Sequence, residues 1–307
     1  MDWAHSRIFI KAGSILGLKP SGLECAPDAL LEAGLAQLAL DDIRAIQNHN
    51  HRYSPVLDAH GMLNVTPLRD VSLELSEAVN EVLDEANWPI VLGGDCSVLV
   101  GIMAGLKQHG RFGVVTFDAH ADFYISSQSP SGEAADMDIA LITGRGDERL
   151  CNIYGGRPYV RDEDVVHIGQ RDQSEAEQYG SARLQDTAAQ LMSLDDIRLM
   201  GREAIGRKLQ TMLKTSAVDG YWLHVDTDVL HDEENPAVDY RLPDGLRFAE
   251  LEVLLTNVLR SGRVVGMSVA IYNPRLDTGG TAGKHIADML RRVLLGRGKD
   301  DAAMRKG

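Results

Sequence analysis

Asp118, His120 and Asp122 occupy alternate positions in the stretch TFDAHADFYIS, directly behind the apolar run FGVV. A strand alternates its side chains with period two, so the three are expected to project from one face where a strand leaves its sheet. Two carboxylates and an imidazole crowded there lose hydration and repel unless a positive charge sits among them, and a divalent cation would supply it. An acidic turn with solvated side chains and an incidental histidine would carry the same residues.

A second cluster argues against that simpler alternative. In YWLHVDTDVL, His224, Asp226 and Asp228 alternate after another apolar start. If the two ends lie side by side, Asp118, Asp122, Asp226 and Asp228 form an oxygen-rich basket with His120 on its wall. Such a donor set suits two divalent ions bridged by shared carboxylates at roughly 3.5–4 Å, with a water between them as nucleophile. His224 sits further back in its strand and fits a hydrogen-bonded core residue at least as well. A third piece, VLGGDCSVLVG, ends a strand at Gly93 and Gly94 and opens a helix with Asp95 and Ser97. Cys96 would then lie near a helix N-terminus, which favours thiolate; a buried small hydrophobe is the other role open to it.

The elements that must position these residues follow from short apolar, β-rich runs alternating with helical patterns. RIFIKA precedes PDALLEAGLAQL, IVL precedes SVLVGIMAGLKQ, and FGVVTF precedes a loop and EAADMDIALI. DVVHIG comes before QSEAEQYG, AQLMS before DDIRLMGREAIGRKLQTMLK, YWLHVD before LRFAELEVLLTNVLR, and RVVGMSVAI before AGKHIADMLRRVLL. That rhythm predicts parallel strands joined by crossover helices. The Gly-, Pro- and acid-rich stretches Arg145 to Arg161 and His231 to Arg247 are expected to loop over the strand ends, where open α/β sheets bind ligands.

No linker, repeat or composition shift divides the 307 residues, so one domain, 1–307, is expected, with a frayed tail from about 296. A formal charge of −14 argues against nucleic-acid partners, which need basic surface. RIFIKAGSILGL is interrupted by Lys11, and no apolar run approaches the ~20 residues that span a bilayer, so a soluble, cytoplasmic protein without membrane contact is expected. Cys25, Cys96 and Cys151 are widely spaced and form no Cys-x-x-Cys pair, which suits a reducing compartment.

Gly93-Gly94-Asp95-Cys96-Ser97, Asp118-Ala119-His120-Ala121-Asp122 and Asp226-Thr227-Asp228, in that order and spacing, resemble the three signature blocks of the ureohydrolase superfamily of arginases, agmatinases and formimidoylglutamases. The resemblance covers nearly the whole chain, with weaker echoes in HIGQRD and IYNPRLD. It implies a three-layer α/β/α domain with an eight-stranded parallel sheet, two Mn²⁺ ions, a small-molecule substrate and a homo-oligomer, trimer or hexamer. In that scheme Asp118 and Asp226 bridge the ions, Asp122 serves one, and His120 and Asp228 serve the other. Water shared by the ions would attack an amidine-type carbon, with Asp228 taking its proton.

Three positions depart from the family pattern. Its first ligand is normally histidine, and Cys96 stands there; a soft thiolate would shift the site towards Zn²⁺, Fe²⁺, Co²⁺ or Ni²⁺. Its proton-shuttle histidine aligns with Ala135, leaving Glu133 or Asp136 as substitutes. Its guanidinium-gripping acid falls on Ser268 or Ile271, neither of which can pair ionically with a cation, and His231 replaces the acid after the Asp-x-Asp block. Ser268 and His231 are therefore the expected substrate contacts. Together these features predict a hydrolase of linear amidine or guanidine C–N bonds, with an N-substituted guanidino compound among the candidate substrates. A catalytically silent subunit and an amide deacetylase-like hydrolase on the same fold are the alternatives.

Overall fold

In the computed structural model, residues 6–39, 42–47 and 51–304 are described, with side chains described to residue 296. The eight strands found among them are β1 (Arg7–Ala12), β2 (Ile43–Ala45), β3 (Trp88–Gly93), β4 (Phe112–Phe117), β5 (Val165–Ile168), β6 (Gln190–Met192), β7 (Gly220–Asp226) and β8 (Val264–Ala270). All pair in parallel in one sheet of spatial order β2-β1-β3-β8-β7-β4-β5-β6. The helices are α1 (Ala26–Glu32), α2 (Val65–Asp84), α3 (Val98–Leu106), α4 (Asp138–Ile142), α5 (Glu148–Cys151), α6 (Gln173–Gln178), α7 (Leu194–Met200), α8 (Arg202–Thr215), α9 (Phe248–Leu259) and α10 (Thr281–Met304).

The central strands β3, β4, β7 and β8 are buried along their whole length, as continuous apolar runs covered on both faces must be. Alternate residues supply the two faces. Leu92, Phe117, Leu223 and Met267 pack in one cluster with α1, α8, α9 and α10, whereas Val91, Val114, Trp222 and Val265 pack in another with α2, α3 and α4. The expected α/β/α layering and eight-stranded parallel sheet are both present.

Two regular elements lie outside the runs read from the sequence, namely β2 and the 20-residue α2. The stretch from Arg145 to Arg161 is not wholly loop, since it holds α5. The expected frayed tail falls on the last turns of α10, where the backbone is helical to Met304 and side chains beyond residue 296 lie outside the described residues. Among the described residues, no helix is long and apolar enough to cross a membrane.

Candidate metal centre

The strand order sets β3, β8, β7 and β4 side by side, so the four carboxyl ends open onto one place. Phe117 of β4 is level with Val225 of β7, and continuing that register sets Asp118 beside Asp226. Strand alternation is not what gathers the acids, contrary to expectation. β4 stops at Phe117 and the chain turns: the Asp118 carboxylate accepts the His120 backbone N–H at 2.7 Å, and Asp122 takes φ 46°, in the left-handed region. β7 stops at Asp226, whose carboxylate likewise accepts the Asp228 N–H at 2.7 Å. Aspartate favours such turns because its short side chain can bond the backbone two residues on.

The third piece is fixed by close backbone approach. A Cβ on Gly94 would stand 2.0 Å from the Ser14 carbonyl oxygen, so no larger residue fits. Asp95 is fully buried and accepts the N–H groups of Gly17 (3.0 Å) and Ser97 (2.9 Å), which holds Cys96 just ahead of α3. The Cys96 thiol donates to Asp226 Oδ2 at 2.6 Å. Burial, then the charges of Asp226 and Asp118, push that thiol well above its ordinary pKa. Among bare carboxylates Cys96 is therefore a thiol, not the thiolate that its place near a helix start suggested, and a cation would reverse the sign of the local field.

His120 Nδ1 lies 2.8 Å from Asp228 Oδ2 and 3.8 Å from Asp118 Oδ1. Burial opposes its charge, but the two carboxylates raise its pKa well above the usual value. Burial would also raise Asp228, yet the facing His120 charge brings its carboxyl below the ordinary range. Asp228 Oδ1 accepts the Ala119 N–H at 3.1 Å, and its Oδ2 faces His120. Burial and the Asp228 charge raise Asp118 to about 7. Burial and neighbouring acids raise Asp122 and Asp226 well above the normal carboxylate value.

Donor atoms of Asp118, His120 and Asp228 lie within 4.8 Å of one another, as do those of Cys96, Asp118 and Asp226. Asp118 belongs to both groups, as a bridging carboxylate must. Asp122 lines the same cavity, of about 120 Å³, whose wall carries Leu18, Tyr124 and Ile271 beside Glu133, Asp136, Asp172 and Glu175. Among the described residues, no lysine or arginine lines it.

Both proposed substitutes for the missing shuttle line this cavity. Burial raises Asp136 to about 7 despite the Ser129 and Ser131 hydroxyls that donate to its Oδ2 at 2.8 Å. Glu133 is buried and accepts the Tyr240 hydroxyl at 2.6 Å. The two expected substrate contacts are not brought there. Ser268 is fully buried in β8, accepting Trp222 Nε1–H at 2.8 Å and bonding His224 Nδ1 at 2.7 Å. His231 accepts the Glu233 N–H at 3.2 Å and lies by Asp232 and Asp244, away from the cavity lining.

Sequence reasoning missed Asp138. It opens α4 between the apolar Met137 and Ile139, is 1% exposed, and has no hydrogen-bond partner on either carboxylate oxygen. Its signal was an acid flanked by core residues, a few positions from the shuttle candidates.

Comparison with known proteins decides the family: a model described as Arginase family matches residues 15–296. The chain belongs to the arginase family. It is 29% identical over 279 residues to the arginase of Staphylococcus aureus (strain COL), covering 88% of this chain and 90% of that one. The crystal structure of arginase from Bacillus subtilis superposes with a TM-score of 0.81 at 25% identity, over 94% of this chain and 98% of that chain. Arginase from Bacillus caldovelox shares the fold at a TM-score of 0.83 and 24% identity, over 95% and 97% of the two chains. Arginase-family proteins are metal-dependent hydrolases of non-peptide C–N bonds that act on small molecules, typically through a binuclear Mn²⁺ centre. The residues here fit such a centre. Four carboxylates of 6% exposure or less crowd around one imidazole and one thiol, and the raised pKa values of three of them, Asp118, Asp122 and Asp226, record the positive charge they lack.

Proposed function

We propose that this arginase-family hydrolase cleaves a C–N bond of a linear amidine or guanidine, with Cys96, Asp118, His120, Asp122, Asp226 and Asp228 holding two divalent cations. The observation that supports it is the convergence of these donors beside a cavity whose wall carries further acids and, among the described residues, no lysine or arginine. An acidic wall attracts a cationic substrate and repels a carboxylate-bearing one at the reacting end. A divalent pair supplies Lewis acidity, which polarises the substrate and makes water nucleophilic near neutral pH.

The chain's own residues do the rest. Asp136 is placed to carry the proton from water to the leaving amine, because its carboxyl titrates near the operating pH and its Oδ1 has no partner. Glu133, steadied by Tyr240, anchors the cationic end of the substrate. Ile271, Leu18 and Tyr124 give the cavity an apolar side that suits an N-substituent. A homo-oligomer of three or six chains and a cytoplasmic setting belong to the same proposal, tested by light scattering and by fractionation.

A panel of guanidines, N-substituted guanidines, amidines and formimines, scored for urea, ammonia and amine release, tests this function. At least one amidine or guanidine should turn over, and Asp136→Asn should lower kcat by about 10²- to 10⁴-fold. No turnover by the metal-loaded protein across the panel would overturn the proposal. Release of a carboxylate from an amide substrate alone would make it the deacetylase-like enzyme instead.

A further inference from the structure

Cys96 has two further donors beside it that the family scheme does not use. Cys96 Sγ, a carboxylate oxygen of Asp138 and a ring nitrogen of His224 all lie within 4.8 Å of one another. All three side chains are buried, at 2%, 1% and 0% exposure. Neither oxygen of Asp138 has a hydrogen-bond partner, and neither has His224 Nε2. Burying polar atoms without partners opposes folding, and here they come together rather than scattering through the core. Donors on one tetrahedral ion stand roughly 3.3–3.8 Å apart, given metal distances of about 2.0–2.3 Å, so one cation would satisfy all three.

Resting on the hydrolase function proposed above, we propose that Asp138 and His224 are metal ligands that join Cys96 in holding one ion of the pair, making the two ions chemically unlike. Thiolate, imidazole and carboxylate together form a sulfur, nitrogen and oxygen set that favours Zn²⁺ or Co²⁺ over Mn²⁺. The ion at Asp118, His120 and Asp228 keeps an oxygen-rich set suited to Mn²⁺. Asp138 thus adds an oxygen donor beside the position where Cys96 stands in place of a histidine.

The surroundings of His224 agree with ligation. For Nε2 to offer its lone pair, the ring proton must sit on Nδ1, which faces Ser268 Oγ at 2.7 Å. A serine oxygen has two lone pairs, so it can accept that proton together with Trp222 Nε1–H at 2.8 Å. A ligating histidine fixed through its other nitrogen is the usual arrangement around protein-bound metals. Ser268, expected from the sequence to touch substrate, becomes the positioning residue for His224.

Cobalt reads this assignment without relying on turnover. Chelator-stripped protein is reloaded with Co²⁺, counting ions per chain and recording the near-ultraviolet thiolate-to-cobalt band, while anomalous diffraction from crystals of the unmutated, Co²⁺-loaded protein locates each ion. Two ions are expected, one of them within bonding distance of Cys96 Sγ, Asp138 and His224 Nε2. Asp138→Asn, nearly isosteric, and His224→Asn, which keeps a polar atom towards Ser268, should each weaken the ion that gives the thiolate band by about tenfold or more. The other ion should bind as before. Two ions bound with neither near Asp138 or His224, and a band indifferent to both variants, would overturn the inference and leave the hydrolase proposal standing. Absence of any bound cobalt in the unmutated protein would overturn both.

Discussion

Asp118 ties cation binding to pH. Burial and the Asp228 charge raise its carboxyl to about 7, so below that pH it holds a proton that an incoming cation must displace. Affinity should therefore increase as pH rises through 7, and the Cys96 thiol and His120, both raised, add to the protons released. A weakly buffered Mn²⁺ titration should show net proton release and tighter binding at about pH 8 than at about pH 6, whereas a pH-independent affinity without proton release would contradict this coupling. Ile271 carries a different constraint. It is β-branched yet sits at φ 65°, a conformation that costs about 1–3 kcal/mol, and its N–H bonds Gly94 O at 2.8 Å. Ile271→Glu removes the β-branch and sets a carboxylate on the cavity wall, where the family resemblance expects an acid. Steady-state kinetics should show a lower KM for a cationic guanidine; an unchanged or higher KM would mean that this wall does not face the substrate.

The α2 and α3 pair that backs β3 depends on one close crossing. A Cβ on Gly101 of α3 would meet the Ser72 carbonyl oxygen of α2 at 2.6 Å and its Cα at 2.9 Å. Alanine would add up to about 1 kcal/mol of helix propensity, but overpacking against backbone costs about 1–3 kcal/mol, so Gly101→Ala should lower the urea unfolding midpoint. A midpoint equal to or above that of the parent would show that the crossing yields easily. Elements of this kind differ in how plainly the sequence declares them. The buried central strands were legible because apolar residues dominate them, and the crossover rhythm followed from them. β2 was not, since its three residues are not buried and centre on Arg44. The stretch PDALLEAGLAQL, expected as one helix, divides at Gly34, and DDIRLMGREAIGRKLQTMLK divides at Gly201; both glycines adopt positive φ, which a helical pattern cannot reveal. Among site residues, the three motif blocks could be read because each is local. Asp138 and the Ser268–His224 contact could not, because only the β7–β8 register and the start of α4 bring them together.

At the scale of the whole molecule, the parallel sheet brings residues from distant strand ends to one edge and gathers buried acids there, in a chain whose net charge is −14. Acids that the fold gathers without a counter-charge would oppose folding, so their burial together has a physical reason only if cations join them. Asp118 is the residue common to both donor groups around the basket, which makes it the sharpest probe of that claim. The most direct measurement is elemental analysis of the purified protein beside Asp118→Ala, with circular dichroism to confirm that the variant folds. Two divalent metals per chain are expected in the parent, and loss of most of both in the folded variant. A parent that binds no metal after reloading, or a variant that keeps the full complement, would contradict the assignment of this basket as a catalytic metal centre.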